Sequence, residues 1–508
     1  MVVSSGCSHN NLKLIERITI AFSIIIAILL VLIGTTKHGL GLTGDSMNYL
    51  ALSENLLNGK GVVGMGGTSF ILWPPGYSII ISGLLAITNS DAYSILTALN
   101  LVSLTATIIL SSLLFRQTLL EAKIRFYGSL LLVLAPGVYL IWVFAFVETV
   151  FVPILLLFLF LCQKWRNNLS ISRVCQLSLI SLTLFFLKYI GIVTLPIILY
   201  LIYKGNTEKK LQKYSFGVLI SLFPAILWVV KNYLVSGTPF GLRGSSLYGL
   251  FEVLFISIET FLYWVFPVVM LLRLTIFLFL GLRKESDSGG SNILSKIDIH
   301  LLFIGLFLIV TFISSTISAF DRLNNRLLFP VFIPLLIVCL VSVEQLKLRI
   351  EVMKKKKVMF FFGIILMSIP VLAYIRTDIR SFNSRILNGA GGISTDEYQA
   401  HLPRIPMEVI DRLKSERSVY SNGPELLYYA TTIQSKKAPR KFYYNSTTVE
   451  VEHKNLKNFF GNEKSFLVWL GDNKADLSYS LEELKQFYNL KLSSSGKEYR
   501  VYEISVQK

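Results

Sequence analysis

The chain has 508 residues, 53% of them hydrophobic and only 16% charged, with a mean hydropathy of +0.60, whereas soluble domains carry about 25% charged residues. A single water-soluble globule is excluded, and apolar runs recurring from Ile18 to Tyr374, each near the roughly 20 residues a span requires, make this a polytopic membrane protein. The net charge of +18 is not a nucleic-acid footprint: residues 376–508 hold 20 Lys and Arg against 16 Asp and Glu, and the other bases sit in short loops between apolar runs, where the positive-inside rule puts them. Membrane lipids, not nucleic acid, are their expected partners.

In chain order, the first run, Ile18 to Ile33, has no small-residue cleavage site behind it and is followed by further spans, so it reads as an uncleaved helix. With 18–34, the candidate spans are 92–115, 126–141, 148–162, 174–187, 189–203, 215–231, 260–282, 299–317, 327–346 and 358–375, eleven in all. Pro75 to Thr88 is left out because about 14 residues are short for a span, two prolines open it and Asn89-Ser90-Asp91 closes it. It reads as a helix on, or partly entering, the membrane surface. Counting bases supports this. With the N-terminus in the cytoplasm, the inner segments carry 21 Lys and Arg and the short outer ones 7. An extra span at 75–88 would place Lys354 to Lys357 outside, against the rule. The pair 174–187 and 189–203 is short and turns at Lys188, so these helices should lean on neighbours. Arg273 lies midway along its span, too deep for an outer-face site.

The expected fold is thus a mostly α polytopic bundle over residues 1–375, with a long first outer loop at 35–91, and a small extracytoplasmic α/β domain over 376–508. In that domain Ser418 to Ser421, Phe466 to Leu470 and Tyr499 to Ile504 read as strands, and Glu425 to Ala430 and Leu481 to Tyr488 as helices. Cys7, Cys162, Cys175 and Cys339 suggest neither a disulfide framework nor a zinc cluster.

The first outer loop carries the most chemistry. Tyr49, Leu52 and Leu56 fall at helical spacing, Asp45 starts the helix and Gly59 ends it, giving an amphipathic helix on the outer surface. The Asp45 carboxylate has two compatible roles: capping the helix, which spacing favours, or acting as general base on an acceptor hydroxyl. Gly59 to Gly67 lacks the Gly-Lys-Ser/Thr ending of a phosphate loop and reads as a flexible loop. Glu148, between Phe144-Ala145-Phe146 and Val150-Phe151-Val152, is costly at a membrane edge unless it lines a cavity or has a partner. It reads either as a functional acid or as half of a structural ion pair.

Other segments complete a pattern: Asp45-x-x-x-Tyr49, Gly59-Lys60-Gly61, Trp73-Pro74-Pro75-Gly76-Tyr77, Phe146-Val147-Glu148, Lys188-Tyr189-Ile190-Gly191, Trp228 to Tyr233 followed by Gly237-Thr238-Pro239, Asn325 to Pro330, and Ser421-Asn422-Gly423-Pro424. In this order they resemble the GT-C polytopic glycosyltransferases, especially the family 39 group with the protein O-mannosyltransferases and the lipid A aminoarabinose transferases. The resemblance implies transfer of a sugar from a polyprenyl-phosphate donor to a protein, lipid or glycan acceptor at the extracytoplasmic face, with inversion. It matches Asp45 to the family's catalytic aspartate. Glu148 is the second catalytic candidate, and Tyr49, Lys188, Lys231, Asn232, Arg243 and Arg326 are the substrate-binding candidates. Bases near helix ends also snorkel to headgroups, which is the competing role for each of those cations.

The chain departs from the pattern where many relatives have a second acid after the aspartate, here Ser46, and where some have Glu-Lys before the two prolines, here Leu72 and Trp73. With five His, none close in sequence to Asp45, no structural zinc is expected and no metal ligand is assigned; a divalent cation is the one cofactor left open. The competing functions are a transporter or lipid flippase, which should show paired broken helices, and a polysaccharide ligase or polymerase, whose long loop usually comes later in the chain.

Overall fold

The computed structural model of the chain describes residues 5–205, 209–264, 290–319, 321–351, 356–416, 418–461, 464–471 and 477–506. The membrane part is built from α1 (Ser5–Gly34), α2 (Gly44–Leu57), α3 (Gly76–Thr88), α4 (Ala92–Thr118), α5 (Ala122–Leu134), α6 (Pro136–Trp142), α7 (Glu148–Trp165), α8 (Ile171–Leu187), α9 (Thr194–Lys204), α10 (Lys210–Ser236), α11 (Leu250–Tyr263), α12 (Gly290–Ile317), α13 (Asn325–Glu351) and α14 (Lys356–Asn388). Among the described residues, six of these helices, α1, α4, α7, α10, α12 and α13, are long and apolar enough to cross a membrane. The protein is a multi-pass membrane protein.

The remaining expected spans show why apolar length alone is a coarse guide. Residues 126–141 do not form one helix: Ala135 leaves the helical region, and Pro136, which has no N–H to give to the preceding turn, opens α6. The pair around Lys188 consists of α8 and a 3-10 turn, Tyr189–Val193, leading into α9. Most of 260–282, including Arg273, lies outside the described residues, as do Lys354 and Lys355. Helix α14 continues across residue 376 as far as Asn388.

Helix α3 is 13 residues long, about 20 Å at the helical rise and well short of a bilayer's roughly 30 Å core. Tyr77, Ser78 and Ile81 are buried on one side of it, and Ile79 and Ile87 are exposed on the other. Helix α2 is not the amphipathic surface helix its spacing predicts, because Met47, Tyr49, Leu50, Ala51 and Leu52 are all buried. The C-terminal region covers it.

That region folds as α15 (Asp396–Ala400), α16 (Met407–Ser415), α17 (Pro424–Thr431) and α18 (Leu481–Lys485) around a five-stranded sheet. Strands β1 (Val419–Ser421), β2 (Lys436–Lys437), β3 (Ser465–Leu470), β4 (Tyr488–Ser495) and β5 (Tyr499–Val506) lie in the order β2-β1-β3-β5-β4. β1 pairs in parallel with β2 and β3, and β5 pairs antiparallel with β3 and β4. Strands β1, β3 and β5 and helix α17 fall where the sequence places them. The helix expected over 481–488 stops at Lys485, because Tyr488 pairs with Val506 as the first residue of β4 and is fully buried.

The two regions share a core. Tyr428 of α17 belongs to the same buried cluster as Met47, Leu50 and Leu52 of α2. Polar contacts reinforce the seam: Asn55 Nδ2 donates to Gln434 Oε1 at 2.9 Å, and Gln434 Nε2 donates to Glu54 Oε2 at 3.2 Å. The glycine-rich loop expected to be flexible is also seated there. At Gly66, φ is +65°, and an added Cβ would fall 2.5 Å from the Lys436 amide nitrogen on β2.

Candidate active site

The start of α2 is capped by Thr43 and not, as its spacing favours, by Asp45. Ser46 Oγ accepts from the Thr43 amide at 3.1 Å, and Thr43 Oγ1 accepts from the Ser46 amide at 3.5 Å, a reciprocal box that satisfies two terminal donors. Ser46 is buried and donates to the Ala145 carbonyl at 2.9 Å. The backbone before the helix is held as well: Gly41 pairs with Phe144, and Leu42 with Gly392. Asp45 is thereby released from capping. It stands in the first turn, where the positive end of the helix favours an ionised carboxylate.

Asp45 lines a cavity of about 780 Å³. On the bundle side its wall includes Tyr49, Trp73, Glu148, Lys188, Tyr189, Arg243, Asp321 and Arg326; deeper along the helices it is apolar, with Leu222, Ala225, Ile226 and Val229 of α10 and Phe307 and Val310 of α12. The C-terminal region adds Lys437, Arg440, Tyr443, Tyr444 and Glu450. Polar and apolar surfaces thus meet in one chamber.

Arg326, in the first turn of α13, organises the charges. Its Nη1 lies 3.4 Å from Asp45 Oδ2, its Nη2 2.9 Å from Asp321 Oδ2 and its Nε 3.8 Å from Glu148 Oε1. Its guanidinium sits over the Phe146 ring, 4.6 Å from the centroid. Glu148, 3% exposed, also accepts from Lys188 Nζ at 2.9 Å, so the acid at the membrane edge has both a cavity and partners. Arg243 Nη2 donates to the Leu72 carbonyl at 3.0 Å. Burial raises the Asp45 carboxyl above the ordinary range; Arg326 and Arg243 pull it down, and Asp321 and Glu148 push it up. Burial also lowers Arg243, although a guanidinium stays charged in proteins. Tyr49 is buried among aromatic rings, edge-on to Tyr77 with centroids 5.2 Å apart.

Of the sequence candidates, Asp45, Glu148, Tyr49, Lys188, Arg243 and Arg326 come together, and Lys231 and Asn232 are not among the lining residues. The Lys231 ammonium lies 4.4 Å from the Trp228 ring centroid. Asn232 is fully buried and supports the wall from behind, its Nδ2 donating to the Tyr189 hydroxyl at 3.0 Å. Tyr189 in turn donates to the Ile71 carbonyl at 3.0 Å. Asp321 was missed by sequence reasoning, although an acid five residues ahead of Arg326 in a short loop is a legible signal. Tyr443, Tyr444, Arg440 and Glu450 carry no such local mark.

The donor set does not suit a divalent cation. Asp45, Glu148 and Asp321 would be its oxygen ligands, but Arg326 stands among all three and Lys188 occupies Glu148. Among the described residues no group of three or more His, Cys, Asp and Glu is placed to hold a metal ion.

No family model matches the chain and no curated protein matches it in sequence. Solved structures do. ArnT from Cupriavidus metallidurans superposes with a TM-score of 0.57 at 13% identity, covering 96% of this chain and 97% of that one. The Archaeoglobus fulgidus oligosaccharyltransferase gives 0.55 at 11% identity, covering 96% and 74%. The arabinofuranosyltransferase AftD from Mycobacteria gives 0.54 at 11% identity, covering 97% of this chain and 40% of that one. Across nearly its whole length, C-terminal region included, the chain therefore shares the GT-C fold of these structures.

Proposed function

We propose that the protein transfers a sugar from a polyprenyl-phosphate donor to an acceptor hydroxyl, with Asp45 as general base, on the extracytoplasmic face of the cell membrane. In this reading the N-terminus is cytoplasmic and residues 376–508 are extracytoplasmic. The observation that carries it is the composition of one cavity: the Asp45 carboxylate, the bundle cations Lys188, Arg243 and Arg326 and an apolar wall of mid-helix residues all line the same space. Such a chamber suits an amphiphile with an anionic head. ArnT has been solved bound to undecaprenyl phosphate, and the oligosaccharyltransferase AglB from Archaeoglobus fulgidus in complex with a dolichol-phosphate. A ligand of that class fits the chamber here, with its chain along α10 and α12 and its phosphate among Lys188, Arg243 and Arg326.

The chemistry needs little more. Asp45 takes the proton of the acceptor hydroxyl as the oxygen attacks the anomeric carbon. The bond from that carbon to the phosphate oxygen breaks, and the polyprenyl phosphate leaves with the electron pair. Attack opposite the leaving group inverts the centre. Arg326 and Arg243 suit planar phosphate contacts, and Lys188 acts as a point charge; fixed cations in a confined site stabilise the departing phosphate without reorganising. Glu148 holds Lys188 and Arg326 together at that position.

Asp45→Asn, produced at normal levels, is expected to lose transfer from a labelled polyprenyl-phosphate sugar by about 10²–10⁴-fold. Retained transfer would remove the assignment. Directional movement of lipid or solute across vesicles, indifferent to Asp45, would point to a transporter or flippase instead.

A further inference from the structure

The wall facing Asp45 from the C-terminal region has a construction that the transfer chemistry does not use. Residues 442–449 form a tight hairpin: Phe442 bridges Val449 antiparallel, and the Tyr443 amide donates to the Thr448 carbonyl at 3.1 Å. Asn445 at its tip has φ of +52°, a conformation Asn tolerates better than most residues. The hairpin is braced against the loop that carries Arg243. Thr448 Oγ1 accepts from the Ser245 amide at 2.9 Å, and Ser446 Oγ donates to the Ser245 carbonyl at 2.7 Å. The approach leaves no room for a side chain at Gly244, where a Cβ would collide with Ser446. The loop is tied in turn to α12, since Ser246 Oγ donates to the Ser315 carbonyl at 2.6 Å.

What this rigid hairpin presents is an aromatic ring. Tyr444 is 59% exposed, yet it lines the cavity, close enough for Asp321, Asp45 and Arg326 to act on its hydroxyl. The ring thus offers an open aromatic surface on the wall of the cavity opposite the bundle, where a ligand can cover it. We infer that the acceptor is a saccharide that stacks on the Tyr444 ring, with Arg440 and Glu450 beside it on the same wall. A sugar ring has an apolar face of C–H groups and a rim of hydroxyls. The first matches the electron-rich face of an aromatic ring, and the second needs nearby charged hydrogen-bonding groups.

The inference rests on the reading of Asp45 as base, which defines the acceptor side. The donor sugar is tied to a phosphate among the bundle cations, whereas Tyr444 belongs to the opposing, C-terminal wall. On this wall the edge strand β2 is covered by the turn at Gly66, so a peptide could not be held there by strand addition.

Saturation-transfer NMR on the full chain in nanodiscs tests this, with soluble mannose, glucose and galactose oligosaccharides as probes, the same saccharides on a lipid anchor as a second arm, and a Ser/Thr peptide as control. At least one saccharide should receive saturation at its C–H protons in one or both arms. Tyr444→Ala should weaken its binding about tenfold, the size of one aromatic contact, with an unchanged melting temperature, and Tyr444→Trp should restore it. Saturation of the peptide alone, of no probe, or of a saccharide bound equally by Tyr444→Ala would overturn the inference. Because the readout is binding, failure of Asp45 as base would appear separately, in the transfer assay.

Discussion

Arg326 is the residue on which the site turns, because it faces three carboxylates and each pair changes the others. Its distances to Asp45 and Asp321, 3.4 and 2.9 Å, make the two aspartates competitors for one guanidinium. A pH dependence follows for the proposed base. A base must be ionised, and burial holds the Asp45 carboxyl above its ordinary value, so transfer should rise with pH as that raised value is passed. Arg326 lowers the Asp45 carboxyl and Asp321 raises it. Arg326→Gln should therefore move the acid limb of the kcat/KM profile to higher pH, and Asp321→Asn to lower pH. Shifts in the same direction for both variants would show that the limb belongs to another group. The sequence made Glu148, Lys188 and Arg326 visible as charges at span ends, Asp45 as the acid heading a helix of the first outer loop and Arg243 as a base in a later outer loop. It did not show that Lys231 lies on Trp228 or that Asn232 supports Tyr189, because which face of α10 meets the cavity depends on packing.

Short backbone segments, more than whole helices, aim these residues. The chain before α2 is pinned by 143–145 on one side and by 389–394 on the other. The ring of Phe144 fills the space between Gly41 and Gly391, where a Cβ at either position would collide with it. Phe144 stacks on Phe146, with centroids 4.6 Å apart and planes 8° from parallel, and Phe146 underlies the Arg326 guanidinium. At Gly391, φ is +138°, so Gly391→Ala combines an unfavourable backbone conformation with a ring clash. It should lower the melting temperature and also reduce transfer in the surviving folded fraction. Normal melting with normal turnover would show that this pinning of the chain before α2 is dispensable. Propensity was a poor guide to these pieces. The cap falls on Thr43 because Ser46 completes a reciprocal pair with it, a partnership that the word Thr-Gly-Asp-Ser does not distinguish from capping by the aspartate.

For the whole molecule, the C-terminal region is part of both the core and the chamber, since Tyr428 packs with α2 and Tyr444 lines the cavity. Both faces of the proposed reaction therefore belong on one side of the membrane. Lys497, with its side chain 90% exposed, provides a check: Lys497→Cys should react with a membrane-impermeant maleimide on intact cells. Protection until the cells are opened would place the region, and Asp45 with it, in the cytosol. Residues alone determined that this is a mostly helical membrane protein with a sheet-containing end, because apolar length and strand-scale alternation are local properties that water and lipid impose on any chain. They also marked the charged positions worth watching, since a charge at a span end is conspicuous in an apolar background. Only the tertiary structure decided that Glu148 faces both Lys188 and Arg326, that Asp321 joins them, and that a hairpin some 400 residues from Asp45 closes the same cavity. Those relations are contacts between distant segments, and their energy exists only once the helices are packed.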